Sequence, residues 1–482
     1  MPKVKKVQVS PKLPNSQLLE GAEYIYDYEK GLRRVKPYYF EFKTWVKGRW
    51  LGKTLTEIFT TEFRDRDAEY YKQAIIDGKV RVNGQPSDGE MILKNGDVMT
   101  HTSHRHEPPV SLRPVQIVHC DDDLIVINKP AGVPVHPAGR YRHNSVLNIM
   151  SIEQNFAPTI APCNRLDRLT SGLMFFAQHA SAAEKMCQYL FDRELTKEYL
   201  ARVVGDFPEG DIIVDQPLKS INPMYGLNRV HPDGKPSKSM FRKLSYNGVT
   251  SLVWCRPFSG RTHQLRVHLQ WLGHPIANDP IYANRRVWGD DMSQANTKTD
   301  EELEDKLNRL GRSQVADFGD YAPTSQEPRI VTESRQHEFV TIDTKAESIA
   351  KREKRMGELL TGESCSECGA PLYSDPSQDE LLIFLHALSY SADDGSWAYK
   401  TEEPEWAAAD WCGVMKPYVQ PVEADRHVPA NVAKNAKMPG TPVHTAGSGA
   451  LHKVDDAIAP SLQLRATLVE EQNVQQSQMT PD

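Results

Sequence analysis

The feature that most constrains the fold is a succession of short strand-like segments in residues 113–282. Gly172–Gln178 and Tyr199–Val204 are apolar enough to form buried strands. Ser239–Leu244 and Ser251–Cys255 follow as a pair separated by a tight turn. Few helical segments lie between these strands, so the pattern differs from the strand–helix alternation of a doubly wound parallel sheet. The sequence therefore predicts an α+β fold.

Two helices are expected among these strands. Ser181 and Glu184 have the spacing of a capping box, which predicts a helix from that point to about Leu195. Residues 261–272 are predicted to form the second helix.

Length and composition narrow the class of protein. A chain of 482 residues indicates two to three domains, and no stretch approaches the about 18 apolar residues of a membrane-spanning helix. Residues 1–30 have no apolar run suited to a secretory signal and soon become acidic, unlike a transit peptide. We therefore expect a cytoplasmic protein, with the nucleus as the alternative and the mitochondrion less favoured. Seven scattered cysteines form no disulfide framework.

Charge is unevenly distributed along the chain. Residues 1–290 carry 40 lysines and arginines against 31 aspartates and glutamates, whereas residues 291–482 carry 18 against 33. A basic first part can bind a polyanion even though the whole chain has a formal charge of −6. This asymmetry is a hint of a nucleic-acid partner.

A small module follows a basic, aromatic extension at residues 1–50. Thr54–Phe63 and Asp67–Asp77 are predicted helices, and the second has a single apolar face. Lys79–Val82 alternates polar and apolar residues before an Asn-Gly turn signal. We predict a compact α/β unit over residues 51–108.

The densest polar cluster is Asn164-Arg165-Leu166-Asp167-Arg168-Leu169-Thr170-Ser171-Gly172. Cations beside a carboxylate lower its pKa, and an ionised, positioned Asp167 can act as a nucleophile or a base. A structural ion pair at the start of a strand produces the same pattern, because ion-pair networks also perturb pKa values. The cluster alone leaves both interpretations open.

Two further clusters have the same ambiguity. Gly260–Leu269 is predicted to be helical and presents either a solvated basic face or one inward arginine, Arg266. Lys197–Val203 begins a strand at Tyr199, which in a purely structural interpretation is a core tyrosine with a satisfied hydroxyl.

In their order and spacing, five motifs together resemble the RluA family of pseudouridine synthases. The motifs are N-K-P-x-G from Asn128, R-L-D-R-x-T-S-G-L from Arg165, K-x-Y-x-A-R-V from Lys197, G-R-T-H-Q-L-R-V-H-L from Gly260 and L-G-H-P-I from Leu272. The resemblance extends to the Leu385-His386-Ala387 strand and implies a mixed, mostly antiparallel central sheet with flanking helices. Residues 51–108 are similar to the S4-type RNA-binding module, a companion of that family.

The resemblance also implies roles for individual residues. Asp167 would attack the uridine at the ribose C1′ or at the base, Tyr199 would stack on the base and transfer a proton, and Arg266 would pair with Asp167. Arg165 would occupy the space left by the flipped nucleotide. Where the family usually has a histidine before R-L-D, this chain has Asn164, and no chemistry is expected there. Other substrate contacts are expected from Arg168, Arg261, His263, Gln264 and Lys129. RNA-phosphate contacts of the S4-like module are expected from Arg64, Arg66, Lys72 and Lys79.

The implied reaction breaks the C1′–N1 bond, turns the base and rejoins it at C5, so we expect no cofactor. Flipping the target costs a few kcal/mol and aromatic stacking returns roughly 1–3 kcal/mol per base, so a single-stranded loop is the favoured target. The lead-in Gly31–Phe42 resembles the eukaryotic, fungal-like branch of the family, which points to tRNA at position 32 of the anticodon loop. Large-subunit rRNA and a non-catalytic RNA-binding role are the alternatives. We infer no membrane and no obligate protein partner.

Cys365 and Cys368 have half of a zinc-ribbon spacing, with Cys412 or His386 as candidate further ligands. A second C-x-x-C is absent, so we predict no metal site. The histidines of His101–His106 are predicted to face RNA or solvent. A fused zinc deaminase is excluded, because no H-x-E occurs and no proline precedes the C-x-x-C.

The catalytic domain is predicted to comprise residues 113–282 and about 361–415, separated by a charged insertion at 283–360. Leu303, Leu307 and Leu310 predict one helix within that insertion. Residues 416–482 are predicted to be disordered because they are rich in Pro, Ala, Gln and Thr.

Overall fold

The structure is a computed structural model that describes residues 23–63, 68–192, 194–222, 227–283, 288, 299–303 and 360–411. Its strands are β1 (Tyr24–Asp27), β2 (Leu32–Val35), β3 (Tyr38–Trp45), β4 (Val80–Val82), β5 (Gln85–Pro86), β6 (Val98–Arg105), β7 (Val110–Ser111), β8 (Gln116–Cys120), β9 (Leu124–Lys129), β10 (Ala161–Pro162), β11 (Ser171–Ala177), β12 (Leu195–Val204), β13 (Asp211–Asp215), β14 (Leu218–Asn222), β15 (Leu227–Val230), β16 (Lys238–Tyr246), β17 (Thr250–Pro257), β18 (Leu360–Ser364), β19 (Pro371–Tyr373), β20 (Leu385–Ala392) and β21 (Ala398–Lys400). The α-helices with described ends are α1 (Leu55–Thr61), α2 (Ala68–Ile76), α3 (Val146–Gln154), α4 (Ala180–Asp192) and α5 (Gln264–Trp271).

A ten-stranded sheet organises the middle of the molecule. Its strand order is β13-β16-β17-β12-β20-β11-β9-β8, with β10 paired to β11 and β21 paired to β20. Strands β11 and β20 run parallel, whereas the other described pairs of this sheet are antiparallel. The prediction of an α+β fold with a mixed, mostly antiparallel central sheet is confirmed.

Strand β11 is apolar along its whole length because both of its faces are covered. Phe175 packs in a cluster with Met186 of α4, while Phe176, on the opposite face, packs in a cluster with Ile149 of α3. Successive side chains of a strand point to opposite faces, so a strand buried on both sides requires a continuous apolar run. The two helices therefore flank the sheet, and β11 is a central strand.

Gly172 allows β20 to approach β11. The two strands pair Ser171 with His386 and Gly172 with Ala387. Gly172 has φ +113°, and a Cβ at this position would lie 2.3 Å from the carbonyl oxygen of Ala387. Only glycine fits such a close backbone contact.

The N-terminal part of the described chain forms a second sheet of order β3-β6-β4-β5. Its helices α1 and α2 match the predicted pair, and Tyr71, Ala74 and Ile75 form the buried face of α2 as expected. Thr54 and Glu57 form a capping box at the start of α1. Strand β3 comes from the predicted extension and pairs with β6 over its whole length, so the sheet begins upstream of residue 51.

Local boundaries differ from the prediction in two places. Helix α4 begins at Ala180, before Ser181, and the ring of His179 accepts the N–H of Ala182 in place of the predicted capping box. It ends at Asp192, and Leu195, the predicted end of the helix, is the first residue of β12. Helix α5 begins only at Gln264, because His263 before it has a left-handed backbone (φ +56°).

The prediction that the histidines of His101–His106 face RNA or solvent is wrong for two of them. His101 and His104 lie on β6 and are each 7% exposed. Within the predicted insertion helix, Leu303 is buried, while Leu307 and Leu310 lie outside the described residues, as does Cys412. No helix in the described part of the chain is long and apolar enough to cross a membrane.

Candidate active site

Asp167 lies in the connection between β10 and β11, with its side chain 35% exposed. The residue after Asp167 fixes this loop. The carbonyl of Arg168 accepts hydrogen bonds from the N–H of Gly132 at 2.8 Å and from the Lys129 ammonium at 3.2 Å. The N–H of Thr170 donates to the carbonyl of Asp167 at 3.1 Å and closes the turn. The carboxylate is therefore held at a defined position that is open to solvent.

Arg266 projects from α5 toward this carboxylate. Its Nη1 lies 3.0 Å from Asp167 Oδ2, and the residue is 4% exposed. Its Nε and Nη2 donate to the two oxygens of Asp279 at 2.6 and 2.9 Å. One guanidinium thus bridges two carboxylates, and the bidentate pair with Asp279 fixes its orientation toward Asp167.

The sequence analysis missed Asp279. Its side chain is fully buried and also accepts the N–H groups of Ile281 and Tyr282 at 2.9 and 3.0 Å. A buried arginine needs a compensating anion, and Asp279 lies three residues after the end of the L-G-H-P-I motif. The prediction that Arg266 points inward was the signal that could have located it.

His263 is a third group around Asp167. Its Nε2 lies 3.4 Å from Asp167 Oδ2, and its Nδ1 lies 3.0 Å from the Tyr282 hydroxyl. The left-handed backbone at His263 directs the ring away from the helix and toward the carboxylate.

These neighbours control the ionisation of Asp167. Burial on its own would raise the pKa of Asp167, but the charges of His263 and Arg266, the hydrogen bond from Arg266 and the charge of Arg165 lower it below its usual range. Asp167 is therefore ionised at neutral pH. For Arg266, burial alone would lower the pKa, and the Asp279 carboxylate raises it above its usual value.

Tyr199 lies on β12, where a register shift between Glu198 and Tyr199 interrupts the pairing with β20. Its hydroxyl is hydrogen-bonded to that of Tyr390 on β20. Burial, followed by the interactions with Tyr390 and Asp167, raises the pKa of Tyr199 well above its ordinary value. Tyr199 is therefore a neutral phenol at physiological pH, and the charge of Asp167 contributes to the rise of its pKa.

Three predicted arginines lie around this centre with different degrees of constraint. Arg165 is exposed beside Asp167. The guanidinium of Arg168 lies 5.7 Å from the centroid of the Tyr141 ring, and Arg261 Nε donates to the carbonyl of Pro236 at 3.2 Å.

Lys129 and Gln264 do not occupy the positions expected of substrate ligands. Lys129 is 0% exposed and donates to the carbonyls of Pro130 and Val133 at 2.8 Å, in addition to that of Arg168. Gln264 is 4% exposed, with its amide nitrogen bonded to Lys238 and Ser239 and its amide oxygen accepting from Ser259 and Arg261. Both side chains use their polar groups to hold backbone and loops, and their contact with substrate stays a prediction.

Two of the four residues predicted to contact RNA phosphates lie in the described part of the N-terminal module. Lys72 and Lys79 are exposed on the surface, where they pair with Glu69 at 3.6 Å and Asp77 at 2.9 Å. Arg64 and Arg66 lie outside the described residues.

The arrangement suits nucleophilic chemistry. An ionised carboxylate is open on one side and held by a buried cation on the other, and a neutral tyrosine lies nearby. A carboxylate in this state can form a covalent bond to an electrophilic carbon.

Similarity to known proteins points to one family. Residues 123–271 match the family described as RNA pseudouridylate synthase. The chain is 42% identical over 405 residues to tRNA pseudouridine(32) synthase, mitochondrial, of Saccharomyces cerevisiae, covering 80% of this chain and 79% of that protein. It is 41% identical to pseudouridylate synthase RPUSD2 of Mus musculus, covering 81% and 74%. It is 32% identical to tRNA pseudouridine(31) synthase of Saccharomyces cerevisiae, covering 79% and 97%.

The expectation of a cytoplasmic protein is contradicted by this similarity. A relative that shares 42% identity over most of both chains carries a mitochondrial location in its name. The expectation rested on two features of residues 1–30, the lack of an apolar run and the early acidic residues, and the name of this relative overturns it.

Proposed function

The chain belongs to the RluA-type family of RNA pseudouridine synthases, and we propose that within this family it modifies tRNA at uridine 32 of the anticodon loop. The chain is thus an isomerase that acts on RNA. The observation that supports the tRNA substrate is the 42% identity to a relative named for that position, over 79% of the relative's length.

Asp167 is the nucleophile in this proposal. Its carboxylate is ionised, 35% exposed and held by Arg266 at 3.0 Å, so it meets the flipped uridine from a fixed position. Attack at C1′ expels the base as an anion, whereas attack at the base forms an adduct before C1′–N1 cleavage. Both routes need the same ionised oxygen, and both end with a C1′–C5 bond and the loss of the C5 proton.

Tyr199 and Arg165 act on the flipped base and on the space it leaves, and they take no part in the bond that Asp167 forms. The ring of Tyr199 supplies a stacking surface, and its hydroxyl, bonded to Tyr390, exchanges a proton during the turn of the base. Arg165 is exposed and therefore able to enter the stack where the nucleotide has left. The remaining candidates for substrate contact are Arg168, Arg261 and His263, which lies 3.4 Å from Asp167.

The test is to incubate purified protein with unmodified tRNA and rRNA transcripts and to map pseudouridine at nucleotide resolution. Asp167→Asn should abolish the product. RNA affinity should stay nearly unchanged and should not fall, because the substitution removes a carboxylate that repels phosphate and does not bind it. Asp211→Asn is the matched control, since Asp211 also pairs with an arginine but lies on an exposed strand. A product at position 31 would favour the position named for the 32% identical tRNA pseudouridine(31) synthase, and a product only in rRNA would overturn the tRNA substrate.

We also propose that the unit at residues 51–108 is an S4-like module that holds RNA phosphates through Lys72 and Lys79, with Arg64 and Arg66. Replacing both lysines by alanine should weaken RNA binding and reduce the slope of affinity against salt by about one to two charges. Lys238→Ala, on the catalytic sheet, is the control. An unchanged salt slope in the double variant would contradict the proposal.

A mitochondrial location is the proposal that replaces the cytoplasmic one, and it rests on the name of the 42% identical relative. Fluorescence of a full-length C-terminal fusion overlapping a mitochondrial dye supports it, and a diffuse signal would contradict it.

A further inference from the structure

Two histidines and two cysteines from distant parts of the chain meet at the surface of the N-terminal sheet. His104 and His106 belong to the end of β6 and the residue after it, and Cys365 and Cys368 belong to the turn between β18 and β19. Their ligand atoms all lie within 4.8 Å of one another. We propose that these four residues bind one zinc ion as a structural site.

The distances fit a tetrahedral ion. Zinc bonds of about 2.3 Å to sulfur and about 2.0 Å to nitrogen place neighbouring ligand atoms about 3.5 Å apart. Cys365 Sγ lies 3.7 Å from His104 Nδ1, and Cys368 Sγ lies 3.4 Å from His106 Nε2. Two thiolates and two imidazoles favour zinc over magnesium or calcium, and four protein ligands close the site to substrate.

The surroundings of the ligands have features of a zinc knuckle. The N–H of Glu367 donates to Cys365 Sγ at 3.4 Å, and Gly369, with φ +67°, closes the turn through its N–H to the carbonyl of Cys365. His104 directs Nδ1 to Cys365 and Nε2 to the Glu367 carboxylate at 3.1 Å. A metal-bound histidine commonly donates its second ring nitrogen to a carboxylate, which fixes the ring.

The sequence revealed only half of this site, because the histidines precede the cysteines by about 260 residues. Strand geometry brings His104 and His106 to the same side, since residues two apart on an extended chain share a face. The expectation of no metal site rested on the missing second C-x-x-C. The other two ligands come from the end of β6 and the residue that follows it.

The site has a structural consequence for the segment that leads into β20. In the β18–β19 hairpin, among the side chains described there, Ala370 is the buried apolar one, so the hairpin has little core of its own. After the hairpin, Asp375 pairs with Lys30 and Arg34, and the chain then continues into β20, which carries Tyr390. The zinc ion therefore anchors this returning segment to the N-terminal sheet.

Metal analysis of the full-length protein tests the site. Wild-type protein purified without chelator should contain about one zinc per chain. The zinc content of Cys368→Ser should be lower by about tenfold or more. Cys187→Ser, on α4 and outside the group of four ligands, is the matched control and should retain the metal. Replacing zinc by cobalt in the wild type should give the intense visible bands of a tetrahedral thiolate site, and His106→Gln should alter them.

Two results would overturn the proposal. Wild-type protein without zinc and without cobalt bands has no such site. Zinc that survives in both Cys368→Ser and His106→Gln lies elsewhere. If Cys368→Ser does not fold, the wild-type cobalt spectrum and the His106→Gln spectrum decide between these outcomes.

Discussion

Arg266 bridges Asp167 and Asp279, with Nη1 3.0 Å from the first carboxylate and Nε 2.6 Å from the second. The Asp279 carboxylate is fully buried and the Asp167 carboxylate is partly exposed. Arg266 therefore holds the reactive carboxylate in a fixed position relative to the core. A lone cation beside Asp167 would keep it ionised but would not fix its direction. Arg266, whose own orientation is fixed by Asp279, does both.

Arg266→Lys should lower kcat/KM by about 100-fold, because an ammonium cannot reach three carboxylate oxygens in one plane. The acidic limb of the pH profile should also move to higher pH. Burial raises the pKa of Asp167, and weakening the opposing cation leaves more of that rise in place. Arg242→Lys is the control, since Arg242 makes the same two-point contact with Asp211 on the surface. Equal kcat/KM values in the two variants would refute the bridging role.

Lys129→Met should destabilise the loop that carries Asp167, since the carbonyls of Pro130, Val133 and Arg168 lose a donor. Burial, followed by the charge of Arg168, lowers the pKa of Lys129 to about 7, below the about 10.4 of an unfolded chain. Between these values the unfolded chain holds a proton that the folded chain has released, so the unfolding free energy of the wild type rises with pH.

The measurement is urea unfolding of wild type and Lys129→Met from pH 7 to pH 10. The difference in unfolding free energy should grow across this range by a few kcal/mol. Lys238→Met, at an exposed position on the surface of β16, is the control for the loss of a lysine. A constant difference for Lys129→Met would mean that the ammonium stays charged in the fold.

Tyr390→Phe should lower kcat by about tenfold, the equivalent of one hydrogen bond of about 1.4 kcal/mol, with KM nearly unchanged. The reason is that Tyr390 is the hydroxyl partner of Tyr199, while its ring is only packed. Tyr399→Phe, on the adjacent strand β21, is the control for a lost hydroxyl in the same aromatic cluster. Initial rates measured over a range of tRNA transcript concentrations separate kcat from KM, and an unchanged kcat in Tyr390→Phe would remove Tyr390 from the mechanism.

Gly172→Ala should reduce the unfolding free energy by more than about 3 kcal/mol, because its Cβ would collide with the backbone of Ala387. Gly210→Ala separates this collision from backbone strain. Gly210 has φ +84° but nothing within 4 Å of the added Cβ, so its cost should be about 1 kcal/mol. Thermal and urea unfolding of both variants measure the difference, and equal losses would show that β20 yields to the added methyl group.

Local patterns in the sequence determined much of the architecture. The tight turn between two strand-like segments located β16 and β17, and the apolar face of the second predicted helix located the buried face of α2. These features depend on neighbours three or four residues away, which a sequence displays directly. The flanking arginines in the same way indicated an ionised Asp167.

Tertiary structure alone decided which polar groups share a site. Lys129 and Gln264 stand within matching motifs, yet both are turned inward to hold backbone, whereas Asp279 stands outside the motifs and positions Arg266. Cys365 approaches His104 across 261 residues of chain only because a hairpin docks on the end of β6. The orientation of a polar side chain depends on which buried partners the fold brings near it. Burying such a group without a partner is costly, and whether a partner is present depends on residues distant in sequence.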